Sequence, residues 1–489
     1  MSWSTLTPEL LDKIFKQIPR FQRSPVGLVC RYWREVLHDQ AFTYLSIKAK
    51  EQQIDENQLA RWGCSLGDKQ HDAVLCGCID IFCKMSPLSR TTKPLAQTTW
   101  ERQAGSRCGI TSSKVFYSTR GNFLGVIDRL DTRILRHHYL KTPGSSGCKK
   151  VARSRIFTCN DLVVLLQPPD VPPHLWDIQS CKISLWDGGA ETCLEVLELA
   201  DKVPHEVLSA AISDIAISRE ILAIQLLTQH SVVSRNHSTS KTESWTLFWR
   251  VNTAQPARQP AHFVKLVRHP ENPSGVLDTG NIAMNDKYFV RGRIDLSKTR
   301  DLTIRVYREE RTRIDLVVSE LETLLSTEDT KFAEGWRVPL GRRLSYVKAR
   351  ELLDRMKLEP GHSNRLAVYA KGDNNLRIID LVTSNPISII TTKNWIVGSN
   401  WCCGCLLIFK SLNDQVATGT YKISIVDPGA VEKTGEKSVP AAISGFTTLG
   451  YFDCPLQWRS LPQIHMDLTG IVLNHASTDL NCYLFKSPT

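Results

Sequence analysis

Residues 6–15 read LTPELLDKIF, and residues 29–37 read VCRYWREVL. In the first stretch, Thr7 suits the N-cap of a helix, and Pro8 suits the first helical position, where an N–H would lack a partner anyway. The apolar residues of this stretch recur at helical spacing and form one broad stripe; they are Leu10, Leu11, Ile14, Phe15 and Ile18. The pattern predicts a short amphipathic helix that stops at Pro19.

A second apolar stripe begins behind Ser24 and Pro25, which repeat the cap-and-proline start. Its members are Val26, Val29, Cys30, Trp33, Val36 and Leu37. A third, shorter apolar piece occupies residues 41–47. We therefore expect a module of three short helices over residues 1–50, followed by a partly helical spacer over residues 51–72.

The predicted module carries more apolar surface than it can hide. Five apolar residues on the first helix cover a wider arc than one partner helix can bury, and so small a module is normally marginal without help. The sequence therefore predicts that an external apolar surface covers the remainder. The alternative is a helical hairpin that docks on the chain's own next domain.

The two opening stretches resemble the F-box, the helical motif that joins substrate receptors to SCF-type ubiquitin ligases. The matching positions are Leu6, Pro8, Glu9, Leu10, Leu11, Ile14, Phe15, Ile18, Leu28, Val29, Cys30, Trp33 and Leu37. The resemblance covers about 45 of the 489 residues. It implies a Skp-type adaptor and a cullin scaffold as partners. It also implies an adaptor-binding surface formed or supported by Leu6, Pro8, Leu10, Leu11, Ile14, Phe15, Val29, Cys30 and Trp33.

The charge of the chain is compatible with acidic partners. Residues 1–50 hold eight basic and four acidic residues, and the whole chain has a net charge of +11. Complementary charge mainly accelerates association, and the adaptors of this family are generally acidic. We expect an unknown substrate protein that is acidic or phosphorylated. Nucleic acid is an improbable partner, because the chain has no arginine-rich tail and no stacking-aromatic motif.

Beyond residue 70 the sequence consists of short apolar runs bounded by Gly, Pro, Asn and Asp. This pattern is typical of strands. Runs such as KISLWDGG (182–189) and SWTLFWRV (244–251) end in an aromatic or aliphatic residue, often followed by an aspartate and a turn. A third run of this kind is LTIRVYRE (302–309). When seven such runs are aligned, one residue of each occupies the same position of the predicted repeat. These residues are Ile127, Trp186, Trp249, Tyr307, Ile379, Val426 and Phe485.

This irregular series resembles a decayed WD-repeat β-propeller, whose four-stranded blades need about 40–45 residues each. The predicted fold class is α+β multidomain, with a small N-terminal three-helix F-box and a mainly-β propeller of about seven degenerate blades over residues 73–489. A pair of β-sandwiches or another propeller family remains an alternative. Leucine-rich repeats are not indicated, because the sequence shows no series of leucines with a period of 20–29 residues.

Residues 319–357 read as a helical insert in the β region. Its second half is strongly basic and is our candidate recognition element; the residues are Arg337, Arg342, Arg343, Lys348 and Arg350. The alternatives for these residues are a solvated helix face, a nuclear-import signal or a phosphate-binding surface. The Ser/Thr-rich residues 231–244 read as a solvated loop.

The sequence indicates no chemistry within the chain. It contains no nucleophile elbow, zinc-binding His pair or dinucleotide fingerprint, and the fifteen cysteines lack paired zinc-knuckle spacing. We predict no catalytic residue, no metal site and no cofactor. Without a secretory signal or a long apolar run, we expect reduced thiols and a non-membrane protein of the cytoplasm and/or nucleus.

The predicted function is that of a non-catalytic, substrate-recognition subunit of an SCF-type cullin–RING ubiquitin ligase. The alternative is a scaffold that uses its front helices to dock a different complex.

Overall fold

The structure is a computed structural model of the chain. It describes nine of the first 36 residues, residues 96–98 and, with internal gaps, residues 108–295, 312–411 and several strands between 419 and 484. The predicted spacer at 51–72 and the third apolar piece at 41–47 lie outside the described residues. No helix within the described ranges is long and apolar enough to cross a membrane.

Contacts divide the chain into two compact units. The larger unit comprises Trp100–Lys371 and Asp380–Asn385, and the smaller comprises Met1–Thr99, Gly372–Ile379 and Pro386–Thr489. Both are built mainly from antiparallel strands, with one parallel pair, Pro386–Thr391 with Ala441–Ala442, and the described part of the β region contains six four-stranded antiparallel sheets. The mainly-β class predicted for this region is confirmed.

The larger unit holds sheets I–IV, whose strands follow one another in chain order. Sheet I contains β2 Cys108–Ile110, β3 Lys114–Ser118, β4 Phe123–Asp128 and β5 His137–Lys141. Sheet II contains β6 Arg155–Cys159, β7 Leu162–Gln167, β8 Lys182–Asp187 and β9 Thr192–Leu197. Sheet III contains β10 Ala211–Ile217, β11 Ile221–Ser234, β12 His237–Arg250 and β13 His262–Arg268. Sheet IV contains β14 Val276–Met284, β15 Tyr288–Asp295, β16 Thr312–Glu320 and β17 Trp336–Leu344.

Short helices and one further strand pair complete the larger unit. Two α-helices are α1 Leu321–Ser326 and α2 Tyr346–Leu353, and the 3-10 helices are Ala200–Lys202, His205–Val207 and Pro256–Arg258. The strand pair is β18 Lys357–Leu358 and β19 Arg365–Tyr369.

The smaller unit holds two four-stranded sheets and three further paired strands. The paired strands are β20 Asn375–Asp380, β21 Pro386–Thr391 and β25 Ala441–Ala442. Sheet V contains β22 Ile396–Cys402, β23 Cys405–Ser411, β24 Gly419–Val426 and β26 Thr447–Cys454. Sheet VI contains β27 Gln463–Met466, β28 Gly470–Asn474, β29 Leu480–Leu484 and β1 Ala96–Thr98. Strand β1 therefore pairs with a strand nearly four hundred residues further along the chain.

In the larger unit, the first strands of successive sheets lie side by side. Strand β2 contacts β6, β6 contacts β10, β10 contacts β14, and β14 contacts β18. Four-stranded meanders that meet through their first strands are the building pattern of a propeller. Apolar side chains fill the spaces between the sheets, and the cluster between sheets II and III includes Leu185, Trp249 and Trp245.

The predicted equivalence of repeat residues holds at the five positions that the structure describes. Ile127, Trp186 and Trp249 lie on the third strands of sheets I, II and III, and Ile379 and Val426 lie on β20 and β24. The third strand of sheet IV is β16, Thr312–Glu320. Phe485 and Tyr307 themselves lie outside the described residues.

The aspartate that ends several of these strands has a local structural role. Asp187 Oδ1 accepts a hydrogen bond from the Ala190 amide at 2.8 Å. Asp380 Oδ1 accepts from the Val382 and Thr383 amides at 2.8 and 3.1 Å. Such side-chain acceptors replace a backbone turn bond, which explains why the strand–aspartate–turn pattern is visible in the sequence.

The predicted helical insert at 319–357 is helical only in part. It contains α1 and α2, but between them lies β17, the fourth strand of sheet IV. Buried Val338 and Leu340 alternate with exposed Arg337 and Pro339, which is the period of a strand with one buried face. The insert therefore supplies the last strand of its sheet.

The close approach of the first strands requires glycine at one position in particular. Gly280 on β14 has a φ of +73°, and a Cβ built on it would lie 2.5 Å from Ser213 Cβ on β10. The Ser213 hydroxyl donates a hydrogen bond to the Gly280 carbonyl at 3.0 Å.

Replacing Gly280 with alanine should therefore destabilise the larger unit by about 1–3 kcal/mol, through left-handed backbone strain and the clash with Ser213. The urea unfolding midpoint would measure the change. Gly189→Ala is the matched control, since its Cβ would meet only Asp187 Oδ1 at 3.2 Å. Equal midpoints for Gly280→Ala and Gly189→Ala would contradict the close-approach interpretation.

Sheets I and II are also joined by charge. The Glu191 carboxylate accepts hydrogen bonds from Lys114 Nζ and His138 Nε2, and Lys114 Nζ also donates to the Gly189 carbonyl at 2.7 Å. Burial acts to raise the pKa of Glu191, but the hydrogen bonds and charges of Lys114 and His138 outweigh burial and hold this pKa below its usual value.

Because the folded-state pKa of Glu191 is lowered, its stabilisation is present above the unfolded-state value of about 4.3 and is lost as the pH falls further. The Glu191→Gln variant should lose stability at pH 7 and should approach the unmodified protein below about pH 4. Unfolding midpoints across this pH range check the prediction. A constant difference between the two proteins at every pH would contradict it.

Candidate functional site

The opening residues form the first candidate site. Leu10, Leu11 and Ile14 are helical, and the amides of Leu10 and Leu11 donate to the Thr7 carbonyl at 3.1 Å. The helix thus starts at Thr7, where the sequence predicts its N-cap. Trp33 lies in a second helical segment.

The apolar side chains of this region are divided between an inside and an outside. Leu11 is fully buried and Trp33 is 9% exposed, and both pack with Leu6, Tyr32 and Val36. By contrast, Leu10 is 48% exposed and Ile14 is 38% exposed. Residues four apart share one helix face, so Leu10 and Ile14 form a single exposed apolar face, which we call the Leu10–Ile14 face.

This division separates the predicted adaptor-binding residues by role. Leu10 and Ile14 are available to a partner, and Leu6 is half-buried. Leu11 and Trp33 hold the helical segments together, so any part they have in adaptor binding is to support the surface. The other four predicted residues lie outside the described part of the chain: Pro8, Phe15, Val29 and Cys30.

The structure does not bring the predicted basic recognition residues onto one surface. Lys348 and Arg350 are exposed on α2, whose buried residues include Leu353. Leu353 packs where a Cβ on Gly292 would lie, 2.7 Å away, so α2 covers the Gly292 face of sheet IV. Arg337 lies in a row with Arg291 and Val317, which places it on the opposite face. The side chains of Arg342 and Arg343 lie outside the described residues, although both residues are in β17.

The face of sheet IV that carries Arg337 packs against sheet III. One half of this interface is apolar: the Phe248 and Phe289 rings lie edge to face with centroids 5.4 Å apart, beside Val267, Ile282 and Met284. This half lies at the end where the first and second strands turn. There the Arg219 amide of sheet III donates to Asp286 Oδ1 of sheet IV at 2.9 Å.

The other half of the interface is polar. Gln225 Nε2 donates to Ser244 Oγ at 2.5 Å, and Thr246 Oγ1 donates to Gln225 Oε1 at 2.6 Å. Because Thr246 has only one proton to give, His269 Nε2 donates to Thr246 Oγ1 at 2.6 Å. Burial lowers the pKa of His269 well below its usual value, and the charges of Arg291 and Arg293 add to the effect. His269 is therefore neutral.

Sheet IV contributes a buried group of charges to this polar half. Arg291 Nη1 donates to Asp278 Oδ2 at 2.8 Å, with side chains only 4% and 1% exposed. Burial lowers the pKa of Arg291 to about 10, against the opposing charge of Asp278. Arg293 lies directly between Asp278 and Asp315 in the strand register. We call the charged residues of this face the arginine cluster: Arg291, Arg293, Arg313 and Arg337, with Asp278, Asp295 and Asp315.

Sequence reasoning missed the arginine cluster, although a signal was present. Residues 288–295 read YFVRGRID, where two arginines alternate with apolar or small residues in a strand that is buried on both faces. Charged residues are almost never buried without partners. Alternating arginines in such a strand therefore indicate a polar interface.

A long hairpin extends from sheet III at the same end. Strands β11 and β12 pair over fourteen residues each, whereas their outer neighbours pair only as far as Leu227 and Trp245. Residues 228–234 and 237–243 therefore form a two-stranded ribbon beyond the sheet. The predicted loop at 231–244 was wrong, because its Ser, Thr and Val residues pair across the hairpin and Thr and Val favour strands.

Breaking the buried ion pair of the arginine cluster should be costly. Asp278→Asn leaves Arg291 buried without its counter-charge, and we expect a loss of about 3–5 kcal/mol in the free energy of unfolding. Asp278→Leu combined with Arg291→Met should cost clearly less than the sum of the two single changes. Urea denaturation would measure the unmodified protein, Asp278→Asn, the Asp278→Leu and Arg291→Met single variants and their double variant. Arg313→Gln, in a pair whose arginine is 62% exposed, is the control and should cost under about 1 kcal/mol. Additive single changes would contradict the coupling.

Comparison with known proteins identifies the first candidate site. The F-box domain model matches residues 3–45, which include the Leu10–Ile14 face. No curated protein matches the chain.

Solved structures that resemble the chain are WD40 β-propeller proteins. A chain of the mitotic checkpoint complex is 9% identical with a TM-score of 0.44, and covers 81% of this chain and 96% of its own length. Hsv2 of Kluyveromyces lactis is 10% identical with a TM-score of 0.38, and the match covers 78% of this chain and 96% of the Hsv2 chain. Sqt1 of Saccharomyces cerevisiae is 7% identical with a TM-score of 0.39, and the match covers 81% of this chain and 100% of the Sqt1 chain.

At TM-scores below 0.5 this likeness is too weak to assign a function, and the fold rests on the strand pairing described above. Residues 3–45 of the chain thus match the F-box domain, and the described part of the β region consists mainly of four-stranded antiparallel sheets.

Proposed function

We propose that the protein is the substrate receptor of an SCF-type cullin–RING ubiquitin ligase. The F-box would bind a Skp-type adaptor, and the β region would bind a substrate protein. The observation that carries this proposal is the Leu10–Ile14 face, an exposed apolar surface inside the segment that matches the F-box domain. F-box domains typically bind such adaptors.

The proposed mechanism is proximity. A receptor that holds substrate and ligase together raises the effective concentration of substrate lysines near a charged ubiquitin-conjugating enzyme. F-box and WD-like propeller modules are generally non-catalytic, and this mechanism requires no reacting group from the chain itself. We place the complex in the cytoplasm and/or nucleus.

We infer that the β region is a propeller of about seven degenerate blades. Six four-stranded sheets, five further strands and the pairing of β1 with β29 support this inference. A propeller binds partner proteins, and the substrate surface proposed here is the end of sheets III and IV that bears the ribbon and the arginine cluster. That end offers projecting backbone and a charged interface, whereas the opposite end is occupied by contacts between turns such as Arg219 to Asp286.

Replacing Leu10 and Ile14 with alanine should weaken adaptor binding while the β region stays folded. Burying two such side chains stabilises a complex by about 3–6 kcal/mol, so the dissociation constant should rise roughly 10²- to 10⁴-fold. Titration of the purified chain with the adaptor would measure the effect.

Lys13→Ala is the matched control for this double variant, because Lys13 is exposed on the same helix and ends in a charged group. Leu11→Ala should act differently, by loosening the packing with Trp33 and reducing helical circular dichroism. Unchanged adaptor affinity in the Leu10→Ala/Ile14→Ala variant would overturn the assignment of the adaptor surface.

A second experiment separates ligase membership from other uses of an F-box. The tagged chain should co-precipitate a cullin through the adaptor, and this cullin should be lost with the Leu10→Ala/Ile14→Ala variant. Recovery of the adaptor without any cullin would instead favour a scaffold that docks another complex.

A further inference from the structure

An apolar groove opens between sheets II and III, where the outer strand of sheet II meets the loop between β12 and β13. Sheet II supplies Leu162, Leu185 and Leu194, and the loop supplies Pro256 and Ala261. The cavity has a volume of about 260 Å³. Sites for drug-sized molecules and cofactors usually have about 300–1,000 Å³. The groove is therefore of a size to take one or two side chains of a bound peptide.

A β-bulge in β9 places two neighbouring side chains in this groove. In the pairing of β9 with β8, Cys193 is followed directly by Glu195, so Leu194 is an extra residue without a cross-strand partner. Successive side chains of a regular strand point to opposite faces, whereas a bulge re-aims one of them. Leu194 and Glu195 accordingly both line the groove, and Leu194 stays 36% exposed. The bulge thus sets an exposed apolar side chain beside a carboxylate.

The loop that forms the opposite wall is fixed by hydrogen bonds. Asn252 Oδ1 accepts from the Gln255 amide at 2.8 Å, just before the 3-10 helix Pro256–Arg258. Glu195 Oε2 accepts from the Ala261 amide at 3.1 Å and so ties the far end of the loop to β9. A groove whose walls are already in place costs a ligand little ordering free energy.

The Glu195 carboxylate gives the groove its charge. Of the described residues that line it, only Glu195 is charged. Within the described part of the chain, the carboxylate accepts the Ala261 amide and forms no ion pair with a Lys, Arg or His side chain. A carboxylate has two oxygens and accepts several hydrogen bonds. It can therefore hold the loop and still accept a hydrogen bond from a cation that enters the groove.

We infer that this groove binds a peptide segment of a partner protein in which an aliphatic side chain lies next to a lysine or an arginine. The aliphatic side chain fills the cavity, and the cation pairs with Glu195. Hydrogen bonds between ionised groups are about twice as strong as neutral ones, whereas an acidic segment would meet Glu195 with like charge. The inference does not rest on the proposed function, because the groove uses neither the Leu10–Ile14 face nor the ribbon.

A peptide array is the probe. It carries the hexapeptides acetyl-Gly-Ser-X-Z-Ser-Gly with every combination of two residues at X and Z, and it is exposed to the fluorescently labelled full chain. Acetylation removes the terminal amine, so only side chains supply a cation. We expect an aliphatic residue next to Lys or Arg, in either order, to retain at least fivefold more protein than the same residue next to Glu. The net charge of +11 would by itself favour acidic peptides, so a basic preference indicates a local carboxylate.

Variants then assign this preference to the groove. Glu195→Gln keeps an acceptor for the Ala261 amide and should reduce the preference for Lys over Gln to less than twofold. Glu195→Lys should reverse the preference, so that acidic neighbours are favoured. Leu194→Ala should lower the retention of aliphatic–basic peptides at least threefold. The controls are Glu198→Gln, an exposed acid just beyond β9, and Val382→Ala, an apolar side chain 58% exposed elsewhere; neither should change a ratio by twofold.

Several results would overturn the inference. They are an unchanged basic preference in Glu195→Gln, an equal loss in Glu198→Gln, or retention that does not depend on the aliphatic residue. Sedimentation equilibrium tests another occupant, since a dimer of the full chain that is lost in Leu194→Ala would assign the groove to a second copy instead. Adaptor affinity should be unchanged in all these variants, so failure of the groove and failure of the proposed function remain distinguishable.

Discussion

The account depends on how the first helix divides its apolar side chains. Leu11 is fully buried against Trp33, whereas Leu10 and Ile14 remain about half exposed on the same helix. A helix that is apolar over so wide an arc cannot satisfy both faces within a small module, and the hydrophobic effect favours covering the second face with another protein. The F-box match at residues 3–45 gives that exposed face a partner class.

In the β region, unlike in the first helix, the sheets cover most of each other's apolar surface. First strands approach one another closely enough that Gly280 and Ser213 are in direct contact. The hydrogen bond from the Arg219 amide to the Asp286 carboxylate and the contacts of the Glu191 carboxylate join successive sheets at their turns. The sheets are therefore joined at one end by contacts between their turns, and sheets III and IV carry charged and projecting features at the other.

The interface between sheets III and IV shows how a charged group is kept inside the β region. The Phe248–Phe289 contact supplies apolar packing, and the Asp278–Arg291 pair sits beside it with both side chains almost fully buried. A buried ion pair contributes little net stability compared with apolar packing.

Local patterns were predictable from the sequence, whereas pairings over long distances were not. Thr7 and the spacing of Leu10 and Ile14 predicted the first helix, and the strand–aspartate–turn pattern placed Trp186 and Trp249 on equivalent strands, because both signals lie within a few residues. The pattern failed at β17, where basic residues between two helical segments concealed the period of a strand.

The ribbon and the arginine cluster were missed for a related reason. Their members are brought together by cross-strand register, as Asp278, Arg293 and Asp315 are, and that register is set by the whole sheet. The sequence pattern of the first helix could not show that Leu11 is buried and Leu10 exposed. That distinction depends on where Trp33 packs, and Trp33 lies in another helical segment.

Amide hydrogen exchange of the full chain, alone and saturated with a Skp-type adaptor, tests the central claim most directly. The account predicts new protection confined to peptides within residues 3–45, with exchange in sheets I–IV unchanged. Unaltered exchange across residues 3–45, or protection that appears only in the sheets, would contradict it.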